Sequence, residues 1–154
     1  MSGILEARVA IITGAGGGLG AAHARVFASE GGGVVVNDIN TEAAQSVVDD
    51  ITAAGGKAVV NSSDITNYDD SLNAVKQALD SFGGLHIVVN NAGINRDRMF
   101  ASMTEAEWDA IMAVHLKGHF CISSHAVHYW RGQSKEGQAV DARIINTTLS
   151  LIHI

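Results

Sequence analysis

Five short apolar runs recur along the chain, near residues 8 to 12, 33 to 37, 57 to 61, 85 to 90 and 142 to 147. Each is continuous rather than alternating, the pattern of strands buried on both faces of a parallel sheet. Between them lie stretches with apolar positions at helical spacing, over residues 18 to 30, 41 to 54, 67 to 82 and 104 to 130. The second is expected to open at Asn40 or Thr41. The fourth is expected to open at Thr104, where Glu107 three residues on completes a capping box. Arg131 to Asp141 is the one stretch expected to form a long surface loop. Strand and helix alternating in this way, with right-handed crossovers, predict an α/β fold. It is a doubly wound parallel sheet of five strands and about four helices, with its ligand at the carboxyl ends of the strands.

Two glycine-bearing segments fall at such ends. Thr13-Gly14-Ala15-Gly16-Gly17-Gly18-Leu19-Gly20 follows the run Val9 to Ile12 and precedes the helical stretch that begins at Leu19. Glycines let backbone turn with positive φ and approach a pyrophosphate closely, and the N–H groups and dipole of the following helix attract the anion. A glycine-rich segment alone also reads as a flexible linker, but a strand before it and a helix after it specify a phosphate loop. Gly31-Gly32-Gly33 lacks that setting and is expected to end one helix and open the turn into the next strand. Asp38 closes the run Val34 to Asn37, eighteen residues beyond Gly20. That is where an acidic side chain accepts from a ribose hydroxyl and repels a 2′-phosphate. No Lys or Arg occurs from Gly14 to Gly20 or from Asn37 to Gln45. NAD is therefore expected over NADP.

With 154 residues and 47% apolar content, the chain suits one globular domain. A net charge of −6 and the absence of a basic run argue against nucleic acid as a partner. No apolar stretch is long enough to span a membrane, and no basic-then-apolar leader opens the sequence, so a cytoplasmic protein is expected. Cys121 is the single cysteine and can form no internal disulfide. His115 and His119 stand four residues apart, near Cys121, His125 and His128, which invites a zinc reading. No carboxylate or second ligand pair has the usual short spacing, so packed or surface histidines are expected and no metal.

The joint pattern resembles the short-chain dehydrogenase/reductase family. Its elements are Thr-Gly-x-x-x-Gly-x-Gly at Thr13 to Gly20, Asp64 after the third strand, Asn-Asn-Ala-Gly at Asn90 to Gly93, and a fifth strand Arg143-Ile144-Ile145-Asn146. The resemblance covers residues 4 to 148. It implies a Rossmann-like fold, a bound nicotinamide dinucleotide, and hydride exchange between a secondary alcohol or ketone and the nicotinamide. It places Thr13, Gly14, Gly18, Leu19, Gly20, Asp38, Asp64, Asn90, Ala92 and Gly93 against or beside the cofactor, Asp64 at the adenine and Asn90 bracing the sheet. On spacing alone, Asp64 reads equally as a capped turn and Asn90 as a satisfied loop amide.

The stretches Asn91 to Arg98 and Val114-His115-Leu116-Lys117-Gly118 are similar to the branch acting on 3-hydroxyacyl thioesters, including the dehydrogenase part of peroxisomal multifunctional enzymes. Most members carry Asn at the position of His115, holding a water of the proton relay. His115 is the candidate relay group here, since imidazole donates and accepts near neutral pH, with a packed helix histidine as the competing reading. Family members usually associate through the helix corresponding to residues 104 to 130, so a homo-oligomer is expected of the full-length form.

In this family a Tyr beside a Lys four residues later is the acid or base, and a Ser orients the substrate oxygen. Here Tyr68 is followed at that spacing by Leu72 and Tyr129 by Gln133, and Leu149 stands where the serine is expected. The last six residues, Leu149 to Ile154, match one reading frame of the transposase mosaic-end adapter used in sequencing libraries. The expectation is an incomplete NAD(P)-binding domain over residues 1–148 and a non-native tail over 149–154. The natural frame would continue with serine, the Tyr–Lys pair and further strands. Alternatively the chain is a catalytically inactive dinucleotide-binding or dimerisation module. In either case the fifth strand would be an exposed edge.

Overall fold

The computed structural model describes residues 3–148, so the expected tail at 149–154 lies outside the described residues. Five strands form one sheet: β1 (Val9–Thr13), β2 (Gly33–Asn37), β3 (Lys57–Asn61), β4 (Ile87–Asn90) and β5 (Arg143–Asn146). Their order is β3-β2-β1-β4-β5 and every pairing is parallel. The order reverses between β1 and β4, and that crevice is where ligands of such sheets lie. The helices are α1 (Gly18–Ser29), α2 (Thr41–Ala53), α3 (Tyr68–Phe82), α4 (Glu105–Met112) and α5 (His119–Lys135).

Strand residues alternate between two cores, because successive side chains of a strand point to opposite faces. Ala10, Ile12, Val34, Val36, Ile87 and Val89 face α1 and α2, meeting Ala21, Ala24, Val47 and Ile51. Val9, Ile11, Val35 and Val88 face α3 and α5, meeting Ala74, Ala78, Ile122 and Trp130. The helix faces contribute small residues, which lets both layers sit close to a sheet of valine and isoleucine. Trp130 closes the second core, with its indole N–H donating to the Leu85 carbonyl at 2.7 Å.

The helix starts follow their sequence signals. Asn40 accepts from Ala43 N–H, Asn67 from Asp70 N–H, and Thr104 forms the expected capping box with Glu107. Gly31, at φ +90°, ends α1, and Gly33 begins β2, as expected of that triplet.

Two expectations are corrected. The single helix expected over 104 to 130 is two α-helices joined by a π-helical stretch, Ala113–Gly118, through which the chain continues without a break. Helical hydrogen bonding then carries on to Lys135, so the loop expected from Arg131 shrinks to the residues after it. A single periodicity across α4 and α5 assumes one phase, whereas the wider turn between them takes up an extra residue and shifts the pattern. Among the described residues β5 is an edge strand, and all four of its residues are exposed.

Trp130→Phe keeps the ring packing but strands the buried Leu85 carbonyl. It is expected to lower unfolding stability by about 1–3 kcal/mol in urea melts, with little change in the denaturant slope.

Candidate functional site

The loop between β1 and α1 is built by what its glycines lack. Gly14 turns at φ +61°, and a Cβ there would lie 2.7 Å from the Ala92 Cα, so the β1 loop and the β4 loop touch through bare backbone. A Cβ on Gly20 would meet the Gly14 carbonyl at 2.3 Å, which fixes how closely α1 packs on its own loop. Gly17 and Gly18 differ, since a Cβ on either would meet nothing within 4 Å. They face open space at the start of α1. Gly17 caps that helix with no side-chain acceptor, and its first turn holds no acidic residue. The first N–H groups of α1 are thus presented to an incoming anion rather than satisfied by a cap.

Asp38 stands across from this loop. Its Oδ2 accepts from Gly16 N–H and its Oδ1 from Asn40 N–H, both at 2.9 Å, so one carboxylate ties the glycine loop to the start of α2. Both oxygens keep lone pairs for a further donor. Asp38, Asp64, Gly14, Ala92 and Gly93 line one cleft together with Asn37, Ile39, Ser63, Ile65, Thr66, Ile94 and Val114. Five of the ten residues expected at the cofactor thus meet on one wall. Leu19 projects two-thirds exposed from the α1 start.

Thr13 and Asn90 are placed differently, fully buried behind the cleft. The Thr13 hydroxyl accepts from Asn91 N–H at 3.1 Å and Ala92 N–H at 3.0 Å, clamping the two loops from below. Asn91 completes the clamp by donating to the Thr13 and Gly14 carbonyls at 3.1 and 3.2 Å. Sequence reading did not single out Asn91, although its place in the Asn-Asn-Ala-Gly segment was visible. The Asn90 amide donates to Asn146 Oδ1 at 2.8 Å and Ser123 Oγ at 3.0 Å, joining β4 to β5 and α5. Asp64 is a capped turn, its Oδ1 accepting from Thr66 N–H at 2.8 Å and Thr66 Oγ1 at 2.7 Å, and it lines the cleft as well.

His115 lies on the π-helical stretch with its Nε2 2.8 Å from the Ile94 carbonyl and 3.1 Å from Ile94 N–H. The ring packs on Gly93, whose missing Cβ would sit 2.7 Å from His115 Cε1. His119 reaches the Ala92 carbonyl at 3.5 Å. Burial holds its pKa below the ordinary imidazole value, with His115 lowering it further against the raising effect of Ala92. The pair therefore braces the segment after β4. Among the described residues no group of three His, Cys, Asp or Glu side chains is arranged to hold a metal ion. No described helix is long and apolar enough to cross a membrane.

A glycine loop and an acidic residue at the reversal of a parallel sheet are the layout of Rossmann-type dinucleotide sites. Comparison with known proteins adds the family. The model of the short chain dehydrogenases matches residues 8–150, and the chain belongs to that family. It is 46% identical to a hydroxyacyl-CoA dehydrogenase of Mycobacterium tuberculosis, a match covering 94% of this chain and 47% of that protein. It is 42% identical to a peroxisomal hydratase-dehydrogenase-epimerase of Neurospora crassa, covering 92% of this chain and 16% of that one. The crystal structure of a short chain dehydrogenase from Mycobacterium avium superimposes with a TM-score of 0.92 at 55% identity, covering 95% of this chain and 55% of that chain. The chain thus spans about half, or less, of the length of these relatives.

The glycines separate fold from access. Gly20→Ala is expected to cost about 1–3 kcal/mol by overpacking. Gly17→Ala, on extended backbone facing open space, is expected to cost at most about 1 kcal/mol. Paired thermal melts of the two variants check the difference.

Proposed function

We propose that this chain is the cofactor half of an NAD-dependent oxidoreductase that acts on a secondary alcohol or ketone. A 3-hydroxyacyl thioester is the substrate class favoured by the names of its relatives. Bound nicotinamide would supply hydride acceptance and donation. The protein's part is to bind and orient. The α1 N-terminus and the open backbone at Gly17 and Gly18 take the pyrophosphate, and Asp38 accepts from the adenosine ribose. Asp64 flanks the adenine, and Ala92 and Gly93 form the wall toward the nicotinamide.

The observation that carries NAD over NADP is the Asp38 carboxylate, held by the Gly16 and Asn40 N–H groups with no Lys or Arg from Gly14 to Gly20 or from Asn37 to Gln45. A 2′-phosphate would face that charge without a counterion. His115, at the Ile94 carbonyl, is proposed to hold or pass a proton at Nε2. The exposed apolar side chains Leu116 and Phe120, beside it on the same helical segment, fit the proposal that the full-length protein is a homo-oligomer. An acidic balance favours a small-molecule partner over nucleic acid, and the proposed setting is the cytoplasm.

One observation favours a binding-only role for residues 1–154 by themselves. Neither tyrosine has a Lys at the fourth position, and neither lies at the cleft. The Tyr68 hydroxyl meets Ser124 Oγ at 3.2 Å, and Tyr129 packs on the core beneath α5.

Calorimetric titration is expected to show NAD binding more tightly than NADP. Asp38→Asn keeps the shape and removes the charge, and should weaken NAD at least about tenfold, the worth of a hydrogen bond to a charged group, while narrowing the gap to NADP. Tighter NADP binding by the unaltered chain would overturn the assignment. NADH formation from 3-hydroxyacyl-CoA by residues 1–154 alone is expected to stay at background, and measurable turnover would sink the binding-only reading.

A further inference from the structure

The ends of the strands opposite the cleft carry a charged assembly that cofactor binding does not use. Arg8 precedes β1, His86 precedes β4, and Asp141 with Arg143 leads into β5. Asp141 is shared by both arginines. Its Oδ2 accepts from Arg8 Nη2 at 2.7 Å and its Oδ1 from Arg143 Nη1 at 2.6 Å, while Arg8 Nη1 donates to the Asp141 carbonyl at 3.1 Å. His86 lies at the centre. Its backbone N–H donates to the Val9 carbonyl and its own carbonyl accepts from Arg143 N–H, each at 2.9 Å. Its side chain adds a third tie, with Nδ1 accepting from Val9 N–H at 3.1 Å.

That tie requires an unprotonated Nδ1. The proton of the neutral ring then sits on Nε2, and a second proton would aim Nδ1–H at Val9 N–H. The surroundings make the second proton costly. Arg8 and Arg143 line one small pocket with His86, and Asp141 is already divided between them. From α5 the Tyr129 hydroxyl approaches the same spot, lying with His86 Cε1 within 4 Å of where a Gly84 Cβ would stand. Burial foremost, then Arg8, holds the His86 pKa below the ordinary imidazole value, against a smaller raising effect of Asp141.

We propose that His86 is an acid-sensitive fastener that ties the start of β4 to the start of β1 through Nδ1, and that its protonation loosens this end of β4 together with the start of β5, which hangs on the His86 carbonyl. A histidine depressed in the folded state contributes stability above its unfolded pKa, near 6.5. That stability is lost as pH falls through the lower folded value. Asp141 works differently, since its pKa is itself held down by Arg143 and Arg8 and it stays charged across this window. Release at the base matters to the cleft. The far end of β5 carries Asn146, the partner of Asn90, so β5 is pinned at one end by the fastener and at the other beside the site.

Amide hydrogen exchange on the full chain between pH 7.5 and 5.5, corrected for intrinsic rates, tests this. Protection at Val9 and Arg143 is expected to fall about tenfold relative to Val35 in the central strand β2, the scale of losing one hydrogen bond. In His86→Asn, whose amide oxygen can accept from Val9 N–H without titrating, the relative protection should be flat across that range. An unchanged ratio in the parent chain, or the same loss in His86→Asn, overturns the proposal. Should that variant not fold, NMR titration of the parent chain decides. The Val9 and Arg143 amide signals must move with the His86 ring, and movement with another group refutes it. NAD affinity at pH 7.5 reports on the cofactor reading separately, and its failure leaves this result standing.

Discussion

The arrangement depends on one close approach, between the turn after β1 and the turn after β4. Gly14 and Ala92 meet through backbone, with the Thr13 hydroxyl and the Asn91 amide sewing the two turns together from beneath. No side chain fits between them. Because β1 and β4 are neighbours that lead to helices on opposite faces of the sheet, this contact defines the floor of the crevice. Every group in the cleft is placed relative to it. Overpacking at Gly14 or Gly20 would separate the turns and reposition Asp38 through its bond to Gly16.

Much of this was legible in the sequence. Valine and isoleucine runs bounded by glycine and polar residues mark parallel strands, and all five appear within a residue or two of the expected positions, although β5 is exposed along its length and β3 is only partly buried. The cleft residues were legible because what places them is backbone conformation. A glycine at a forced positive φ leaves a mark that no neighbouring residue can hide, and Asp38 was found by its distance from the loop. The opposition of Gly14 to Ala92 was less visible, because it joins positions far apart in sequence and leaves no periodic trace.

The helical segment after β4 shows where pattern reading stops. Thr104 and Glu107 announced its start correctly, and nothing local announces the change of helical pitch at Ala113–Gly118. Hydrophobic periodicity measures an average phase over many residues, so a single wide turn inside a long helix is absorbed as noise. Asp64 and Asn90 show a second limit. Spacing left each of them open between a structural and a functional role, and Asp64 serves its own turn while also walling the cleft.

The π-helical stretch has a consequence for how this segment can change. One residue of an α-helix advances the side chain by about 100°, and a π turn takes up one extra residue without breaking the helix. Removing a single residue between Ala113 and Gly118 would restore an unbroken α-helix with α4 and α5 keeping their faces, because the wide turn spends its extra residue without extra rotation. Only the residues of the turn itself, His115 among them, would be re-aimed, while the α5 face under the sheet stayed in place. A one-residue deletion, ruinous in most helices, would here be confined to the turn beside the cleft.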